Sequence, residues 1–294
     1  MKPVPFDYFC PSSLEEAISI LQRYDGEAKL LAGGQSLIPL LNMRLARPSA
    51  LVDLSGIPGL NTIKQDGQDL VIGAMVRHHS VECSALVAEC CPLLPEAISF
   101  VGHLAIRTRG TFGGSMVHAD PAAELPAVAA LTDASFRLIG QTGWRTVPWR
   151  DFFVTYLTSC LEPEEILVEV HLPLPGSSTG SAFLEVAPRH GDFALVGAAA
   201  LVDLDKAGRM SEVRVVLMGV GGTPWRLPEV EESLSGQEPV LQIFREAGDR
   251  AAASIDPASD VHASAEYRRE LAAVLAERVL VAAASRASRT VKEI

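Results

Sequence analysis

The chain has 294 residues, of which 48% are hydrophobic and 21% are charged. This composition excludes a disordered or collagen-like chain, and the length predicts about two domains with a large buried core. The net charge is −11 and the 25 Lys and Arg residues form no run, which argues against a nucleic-acid partner because phosphate-backbone binding relies on clustered basic side chains.

The first part of the chain has the pattern of a mixed α/β unit. A serine pair followed at capping-box spacing by a glutamate pair predicts a short amphipathic helix that begins at Leu14. A strand is predicted at 28–32, where Gly33 and Gly34 end it. An apolar segment at 37–45 leads to a second predicted strand at 50–54.

The middle of the chain alternates short apolar runs with breakers. In chain order, the predicted elements are a strand at 70–73, a helix broken by two prolines at 84–98, a glycine-rich stretch at 102–121, a helix at 122–131, and strands at 135–139 and 165–172. The Pro, Gly and Ser cluster at 173–178 predicts a domain boundary.

Beyond this boundary, strands come first and helices follow. Three strands are predicted at 181–187, 193–204 and 212–220, and then helices at 227–234, 240–253 and 265–284. Strands followed by helices indicate an α+β module with a three-stranded sheet on a helical layer. The fold class predicted for the whole chain is therefore α+β.

The sequence contains no targeting, membrane or metal signature. The N-terminus lacks the apolar core of a signal peptide, and no apolar stretch reaches the ~20 residues that span a bilayer. The five cysteines form no Cys-x-x-Cys pair, and the seven histidines lack metal-ligand spacing. We therefore expect buried free thiols, no metal site and a cytoplasmic location.

Two segments each contain a Gly-Gly pair with flanking hydroxyl side chains. Residues 32–37 read AGGQSL and residues 111–116 read TFGGSM. Glycine permits positive φ and close approach of a ligand to the main chain, and successive N–H groups in such a turn bind anions. Two structural tight turns remain the alternative. Neither segment is a Gly-x-Gly-x-x-Gly fingerprint or a P-loop.

Two acidic residues follow the second segment. Asp120 precedes Pro121, which is typical of the N-cap of a helix. Glu124 lies one turn further along the same predicted helix, where its carboxylate could accept hydrogen bonds from ribose or ribityl hydroxyls.

The two Gly-Gly segments lie about 75 residues apart, and 107–115 (RTRGTFGGS) and 119–121 (ADP) surround the second. Together they resemble the FAD-binding medium subunit of molybdenum hydroxylases, the family of xanthine dehydrogenase and aerobic carbon monoxide dehydrogenase. The opening at 6–11 and the later 189–196 (RHGDFALV) are also similar to the family's pattern. The resemblance extends over nearly the whole chain.

The resemblance implies a fold and a set of cofactor contacts. It implies a two-subdomain FAD-binding domain of the vanillyl-alcohol-oxidase (PCMH) type at 1–176, with subdomains at about 1–56 and 57–176, and a C-terminal flavoprotein domain at 177–294. The expected FAD-binding residues are Lys29, Leu30, Leu31, Ala32, Gly33, Gly34, Gln35, Ser36, Leu37, Ile106, Gly110, Thr111, Gly113, Gly114, Ser115, Asp120, Glu124, Leu167, Asp192 and Phe193.

Each group of these residues has an implied role. In the family, 29–37 and 110–115 hold the pyrophosphate, and the position of Glu124 contacts the sugar hydroxyls. Ile106 and Leu167 would line the adenine or the isoalloxazine, and the pair 192–193 would approach the ring. Several relatives carry a lysine where this chain has Leu184, which leaves the flavin potential and the final electron acceptor open.

The implied function is electron transfer within a larger enzyme. A large subunit would carry the molybdenum cofactor and a small subunit two [2Fe-2S] clusters, in a dimer of heterotrimers, and no catalytic residue is expected here. The substrate stays open among purines, N-heterocycles, aldehydes and carbon monoxide. Two alternatives are a stand-alone FAD oxidoreductase of the same fold and a scaffold that has lost FAD.

Overall fold

The computed structural model describes residues 2–293, with side chains described up to residue 287. Its N-terminal unit contains β1 (Asp7–Phe9), α1 (Leu14–Arg23), β2 (Ala28–Leu31), α2 (Leu37–Asn42) and β3 (Ala50–Asp53). β3 is the central strand, and β1 and β2 pair with it in parallel. The predicted capping box is confirmed, because Ser13 Oγ accepts from the Glu16 N–H and the Glu16 carboxylate accepts from the Ser12 N–H.

The middle unit is built on a five-stranded antiparallel sheet. Its elements are β4 (Ile63–Asp66), β5 (Asp69–Gly73), α3 (His78–Glu82), α4 (Ala85–Cys90), α5 (Leu93–Ile98), α6 (Leu104–Arg107), α7 (Phe112–His118), α8 (Glu124–Leu131), β6 (Ser135–Gly140), β7 (Gly143–Pro148), α9 (Trp149–Phe152), β8 (Phe153–Thr155), β9 (Thr158–Ser159) and β10 (Ile166–Pro173). The strand order is β4-β5-β10-β6-β7, and β8 and β9 form a separate hairpin. The broken helix predicted at 84–98 is two helices, α4 and α5.

The C-terminal unit places helices on one face of an antiparallel sheet. Its elements are β11 (Gly180–Val186), β12 (Val196–Leu204), β13 (Met210–Met218), β14 (Trp225–Arg226), α10 (Pro228–Leu234), α11 (Leu241–Ala253) and α12 (Ala265–Glu293). The strand order is β11-β12-β13-β14. The predicted three-stranded sheet gains a fourth strand, which two residues are too few to signal by periodicity. The α+β fold class is confirmed.

The C-terminal sheet has a different partner on each face, since side chains alternate along a strand. Phe183, Leu201 and Met218 are buried in one core with side chains of the middle unit. Ala182 and Leu217, from the opposite face, pack in a second core with α10, α11 and α12. The sheet is therefore the layer that joins the middle unit to the C-terminal helices.

Polar contacts reinforce this junction. The Arg286 guanidinium forms a two-pronged ion pair with Glu96 of α5, at 2.7 and 2.9 Å. Arg226 donates to the Ala130 carbonyl at 2.8 Å and to Asp133 at 3.1 Å, both in the middle unit. No helix in the described part of the chain is both long and apolar enough to cross a membrane.

Candidate functional site

The two glycine-containing segments lie against each other. A Cβ added to Gly33 would lie 2.5 Å from the Arg109 carbonyl oxygen, 2.8 Å from Gly110 Cα and 3.0 Å from Thr111 N. Real Cβ atoms essentially never approach main chain this closely, so the absence of a side chain on Gly33 is what allows the contact. The expected convergence of the two segments is confirmed.

The first segment presents a row of free backbone donors between β2 and α2. Gly34 has a φ of +72°. Within residues 2–293, the N–H groups of Gly33, Gly34, Gln35 and Ser36 donate to no protein acceptor, and Ser36 makes no side-chain cap of α2. The Gln35 side-chain amide donates to the Gly33 carbonyl at 3.1 Å. We call these four N–H groups the amide row; successive free N–H groups of this kind bind anions.

The second segment is the beginning of a helix and not the turn predicted from its glycines. Gly113 and Gly114 lie in the first turn of α7, and Thr111 Oγ1 caps it by accepting from the Gly114 N–H at 3.1 Å. The N–H groups of Gly113 and Ser115 donate to the carbonyls of Ala74 and Thr111. Gly113 is also required for packing, because a Cβ there would lie 2.5 Å from Ala74 Cβ.

One donor of the second segment extends the amide row. Thr111 forms an isolated antiparallel bridge with Arg77, in which the neighbouring residues make the hydrogen bonds. Among the described residues, the Thr111 N–H has no acceptor, and its nitrogen is the atom 3.0 Å from the Cβ position of Gly33. The Thr111 N–H and the four N–H groups of 33–36 are therefore free donors at one place.

The helix cap formed by Thr111 makes a predictable contribution to the free energy of unfolding. Thr111 is buried, and Thr111→Val keeps its shape but removes the oxygen that accepts from the Gly114 N–H. We expect Thr111→Val to lower the free energy of unfolding by about 1–2 kcal/mol and Thr111→Ser to restore most of it. Urea unfolding of the three proteins measures this, and a valine variant as stable as the native chain would contradict it.

Two arginines that sequence reasoning missed flank the site. The Arg77 guanidinium donates to the Arg109 carbonyl. Burial lowers the pKa of Arg77 and the charge of Arg109 lowers it further, against a smaller attraction from Asp53. Neither arginine has a salt bridge within the described residues. No run of basic residues marks this pair, because 32 positions separate its members. Their charge favours an anion at the amide row.

The remaining predicted contacts of the middle unit differ in accessibility. Ile106 is 37% exposed and its carbonyl accepts from the Gly110 N–H at 2.7 Å, so it borders the second segment. Leu167 is 3% exposed and belongs to the core of the middle unit. Of these two described residues, Ile106 is the one that offers an apolar surface to a ligand.

The acidic residues after the second segment are arranged differently from the prediction. Asp120 Oδ1 accepts from the Ala122 N–H at 2.9 Å, and the helix α8 begins only at Glu124, with Ala123 as its N-cap. The expected capping of this helix by Asp120 is therefore wrong, because the aspartate closes a separate turn one step earlier.

Glu124 of α8 and Glu185 of β11 carry two largely buried carboxyls that are close enough for their charges to interact. Glu124 is 8% exposed, and burial raises its pKa to about 7. Burial also raises the pKa of Glu185 to about 8, and the charge of Glu124 adds to this effect. Glu185 Oε2 is buried without a partner in the described structure. Leu184, its neighbour, packs on the opposite face with the C-terminal helices.

A cleft of about 900 Å³ is lined by residues of both the middle and C-terminal units. Asp120 lines it together with Asp192 and Phe193, and Phe193 is 68% exposed. Arg268 also lines the cleft and connects two of its walls: it donates to the Gly219 carbonyl at 3.1 Å and to the Asp260 carboxylate at 2.7 Å. Apart from the buried Leu167 and Glu124, the predicted residues thus form two groups, one at the amide row and one in this cleft.

The helix α7 connects the two groups. Its N-cap Thr111 lies at the amide row, and its C-cap Ala119 immediately precedes Asp120 of the cleft. Seven residues at about 1.5 Å rise each give a separation near 10 Å. A ligand that reaches both groups must therefore be elongated.

Neither cysteines nor other side chains form a metal centre in the part of the chain that the structure describes. No group of three or more His, Cys, Asp or Glu side chains there could hold a metal ion. The five cysteines are free. The expectation that they are buried holds for Cys91 and is wrong for Cys10 and Cys83, which are exposed.

Comparison with known families accounts for both parts of the chain. Residues 4–175 match the FAD binding domain in molybdopterin dehydrogenase, and residues 181–283 match the CO dehydrogenase flavoprotein C-terminal domain. The chain belongs to the FAD-binding subunits of molybdopterin dehydrogenases. This flavoprotein subunit is therefore part of an oxidoreductase, and FAD is its cofactor.

Full-length relatives agree with this assignment. The flavoprotein subunit is 40% identical to the 6-hydroxypseudooxynicotine dehydrogenase complex subunit alpha of Paenarthrobacter nicotinovorans, over 99% of this chain and 98% of that protein. It is 38% identical to the caffeine dehydrogenase subunit beta of Pseudomonas sp. strain CBB1, over 97% of each. It superposes on a chain of quinoline 2-oxidoreductase from Pseudomonas putida 86 with a TM-score of 0.94 and 38% identity, over 98% and 99% of the two chains.

The chemistry of the amide row suits the flavoprotein subunit's cofactor. FAD contains a diphosphate, an anion that accepts several hydrogen bonds. Residues 33–36 and Thr111 offer five N–H donors without acceptors in the described structure, and a side chain on Gly33 would fill the junction between them. The positive charges of Arg77 and Arg109, of which Asp53 partly offsets the first, support the same ligand class.

Proposed function

We propose that this chain is the electron-transfer subunit of a molybdenum-dependent dehydrogenase. It receives electrons from [2Fe-2S] clusters in a small subunit, after substrate oxidation at a molybdenum centre in a large subunit, and passes them through FAD to an external acceptor. The observation that carries this proposal is the row of unpartnered N–H groups at 33–36 and Thr111, beside the positively charged Arg77 and Arg109.

In this proposal the amide row holds the FAD diphosphate. The N–H groups of 33–36 and Thr111 donate to its oxygens, and Ser36 and Ser115 supply hydroxyls. Gly33 and Gly110 keep the two segments close. Gly113 and Gly114 act indirectly, because they set α7 against Ala74 and complete its cap. Within 29–32, Leu30 and Ala32 pack on the core of the N-terminal unit, so Lys29, Leu31 and Leu37 are left to border the row.

The cleft receives the flavin end of the cofactor. The α7 length near 10 Å suits a ligand whose diphosphate lies at one end of the helix and whose ring lies at the other. Phe193, exposed at the rim, would cover the ring, and Asp120 and Asp192, which line the same cleft, would supply polar contacts to it. Ile106 and Leu167 belong to the middle unit, and Glu124 would be the residue nearest to the sugar.

The protein's part in the reaction is to bind, orient and shield the cofactor. FAD, when bound, supplies one-electron and two-electron transfer. Phe193 and the cleft walls exclude water from the ring, and the fixed N–H donors hold the cofactor in one position relative to a partner subunit. No proton-transfer residue of this chain is required for electron delivery.

Subunit names among the relatives support the partners. They include a complex subunit alpha and carbon monoxide dehydrogenase medium chains, and one solved relative is described as a Cu,Mo-CO dehydrogenase. We propose a large molybdenum subunit and a small [2Fe-2S] subunit, assembled as a dimer of heterotrimers in the cytoplasm.

The test compares the chain alone with the chain purified together with its partners. The isolated chain is expected to retain one FAD and to turn over no substrate, whereas substrate bleaches the flavin absorbance of the complex. Turnover of a small substrate by the isolated chain would favour a stand-alone oxidoreductase. A colourless chain that rejects added FAD would favour a scaffold.

A further inference from the structure

His78 lies directly beneath the second segment. It is 5% exposed, and its Nε2 lies 2.9 Å from the Thr111 carbonyl oxygen. A carbonyl oxygen only accepts, so Nε2 carries the proton and Nδ1 does not. The main-chain N–H of His78 also donates to the Gly110 carbonyl, at 3.1 Å. One residue therefore holds two successive carbonyls of this segment.

The ring also supports the main chain of Gly110. A Cβ on Gly110 would lie 3.1 Å from both Cε1 and Nδ1 of His78, so glycine rests on the imidazole edge. Nδ1 is buried without a hydrogen-bond partner in the described structure. An unpartnered buried nitrogen disfavours folding, and an apolar side chain would fill the space without that cost. Packing alone therefore does not account for this histidine.

We infer that His78 is a positioning residue for the FAD diphosphate, whose Nε2–H fixes the Thr111 carbonyl and so aims the Thr111 N–H at the junction with Gly33. The inference rests on the proposed function of the amide row. Each peptide unit is planar. The Thr111 N–H shares its plane with the Gly110 carbonyl, whereas the Thr111 carbonyl belongs to the next peptide unit. Holding it, together with the Gly110 carbonyl, fixes both peptide planes that flank Thr111.

His78 acts through a fixed hydrogen bond and not through charge. The pKa of His78 is lowered to about 4, mainly by burial and further by the charges of Arg107 and Arg77. The hydrogen bond to Thr111 raises the pKa but does not offset these effects. The ring is therefore neutral between pH 6 and 8, in the Nε2–H tautomer. A nitrogen-15 histidine spectrum of the full chain checks this state.

Two amide substitutions separate positioning from packing. Gln places its side-chain nitrogen near the position of Nε2, whereas Asn places it near Nδ1, too short to reach the Thr111 carbonyl. We expect His78→Gln to bind FAD within about threefold of the native affinity and His78→Asn to bind at least tenfold more weakly. Flavin fluorescence titration of the full chain measures both, and thermal unfolding without FAD measures stability.

The outcomes are distinct. Weaker FAD binding by the Asn variant than by the Gln variant, with unfolding temperatures of the two FAD-free variants alike, supports the inference. Equal FAD affinity of the two variants overturns the inference and leaves the proposed function intact. The same holds if the variant with the lower FAD affinity is also the less stable one by a matching amount. A native chain that takes up no FAD overturns the proposed function and this inference with it.

Discussion

Gly33→Ala is expected to weaken FAD binding by at least about 100-fold, or roughly 2.7 kcal/mol, in a chain that still folds. The new Cβ would lie 2.5 Å from the Arg109 carbonyl oxygen and 3.0 Å from Thr111 N. The two segments must move apart, and the N–H groups of 33–36 and Thr111 then no longer converge on one anion. Calorimetric titration of the FAD-free chain measures the affinity.

Gly176→Ala is the matched control for this substitution. Its Cβ would make only an ordinary contact, 3.4 Å from Thr179 Oγ1, in the connection between the middle and C-terminal units. We expect native affinity in the control. Native affinity in Gly33→Ala as well would show that the diphosphate binds elsewhere.

Glu185→Gln is expected to stabilise the chain at pH 8 by about 2 kcal/mol and to change little near pH 4.5. Burial raises the pKa of Glu185 to about 8, with the charge of Glu124 adding to it. The folded chain therefore keeps a proton that the unfolded chain releases above pH 4.5, so stability falls as pH rises from 4.5 to 8. The expected change of about 2 kcal/mol is smaller than the free energy that corresponds to the full pKa shift, because solvent reaches part of the Glu185 side chain.

Urea unfolding at a series of pH values measures this dependence. The slope of stability against pH is expected to flatten in Glu185→Gln and, because burial raises the pKa of Glu124 to about 7, also in Glu124→Gln. Glu270→Gln, at an exposed position of α12, is the control. Parallel curves for the native chain and Glu185→Gln would exclude an uncharged carboxyl at this place.

The sequence predicted the parts of the site that depend on local chemistry. The serine and glutamate pairs marked the start of α1, and the strand that ends at Gly33 predicted an open turn. Both depend on short-range rules, capping and the lack of a Cβ, which the structure obeys. Their FAD-binding role, carried by a family resemblance, remains a prediction at the level of single residues.

The parts that were missed depend on contacts between distant residues. The Gly113-Gly114 pair is typical of a turn, but in the structure it lies in the first turn of a helix. Ala74 packs so closely against Gly113 that a side chain there would clash with it. Arg77 becomes a neighbour of Arg109 only through the bridge that joins their segments. Register between separate strands and loops decides such pairs, and no local pattern records it.

The shared interior of the middle and C-terminal units has a consequence for how the molecule comes apart. Phe183 and Met218 of the C-terminal sheet are buried in the same core as Phe136 of the middle unit, so this core is complete only when the two units are together. Cleaving the connection at 174–179 would leave two fragments that stay associated. Pulling the fragments apart would expose apolar surface on both. A cleft bounded by these two units is thus a rigid feature of the molecule and not a gap between hinged lobes.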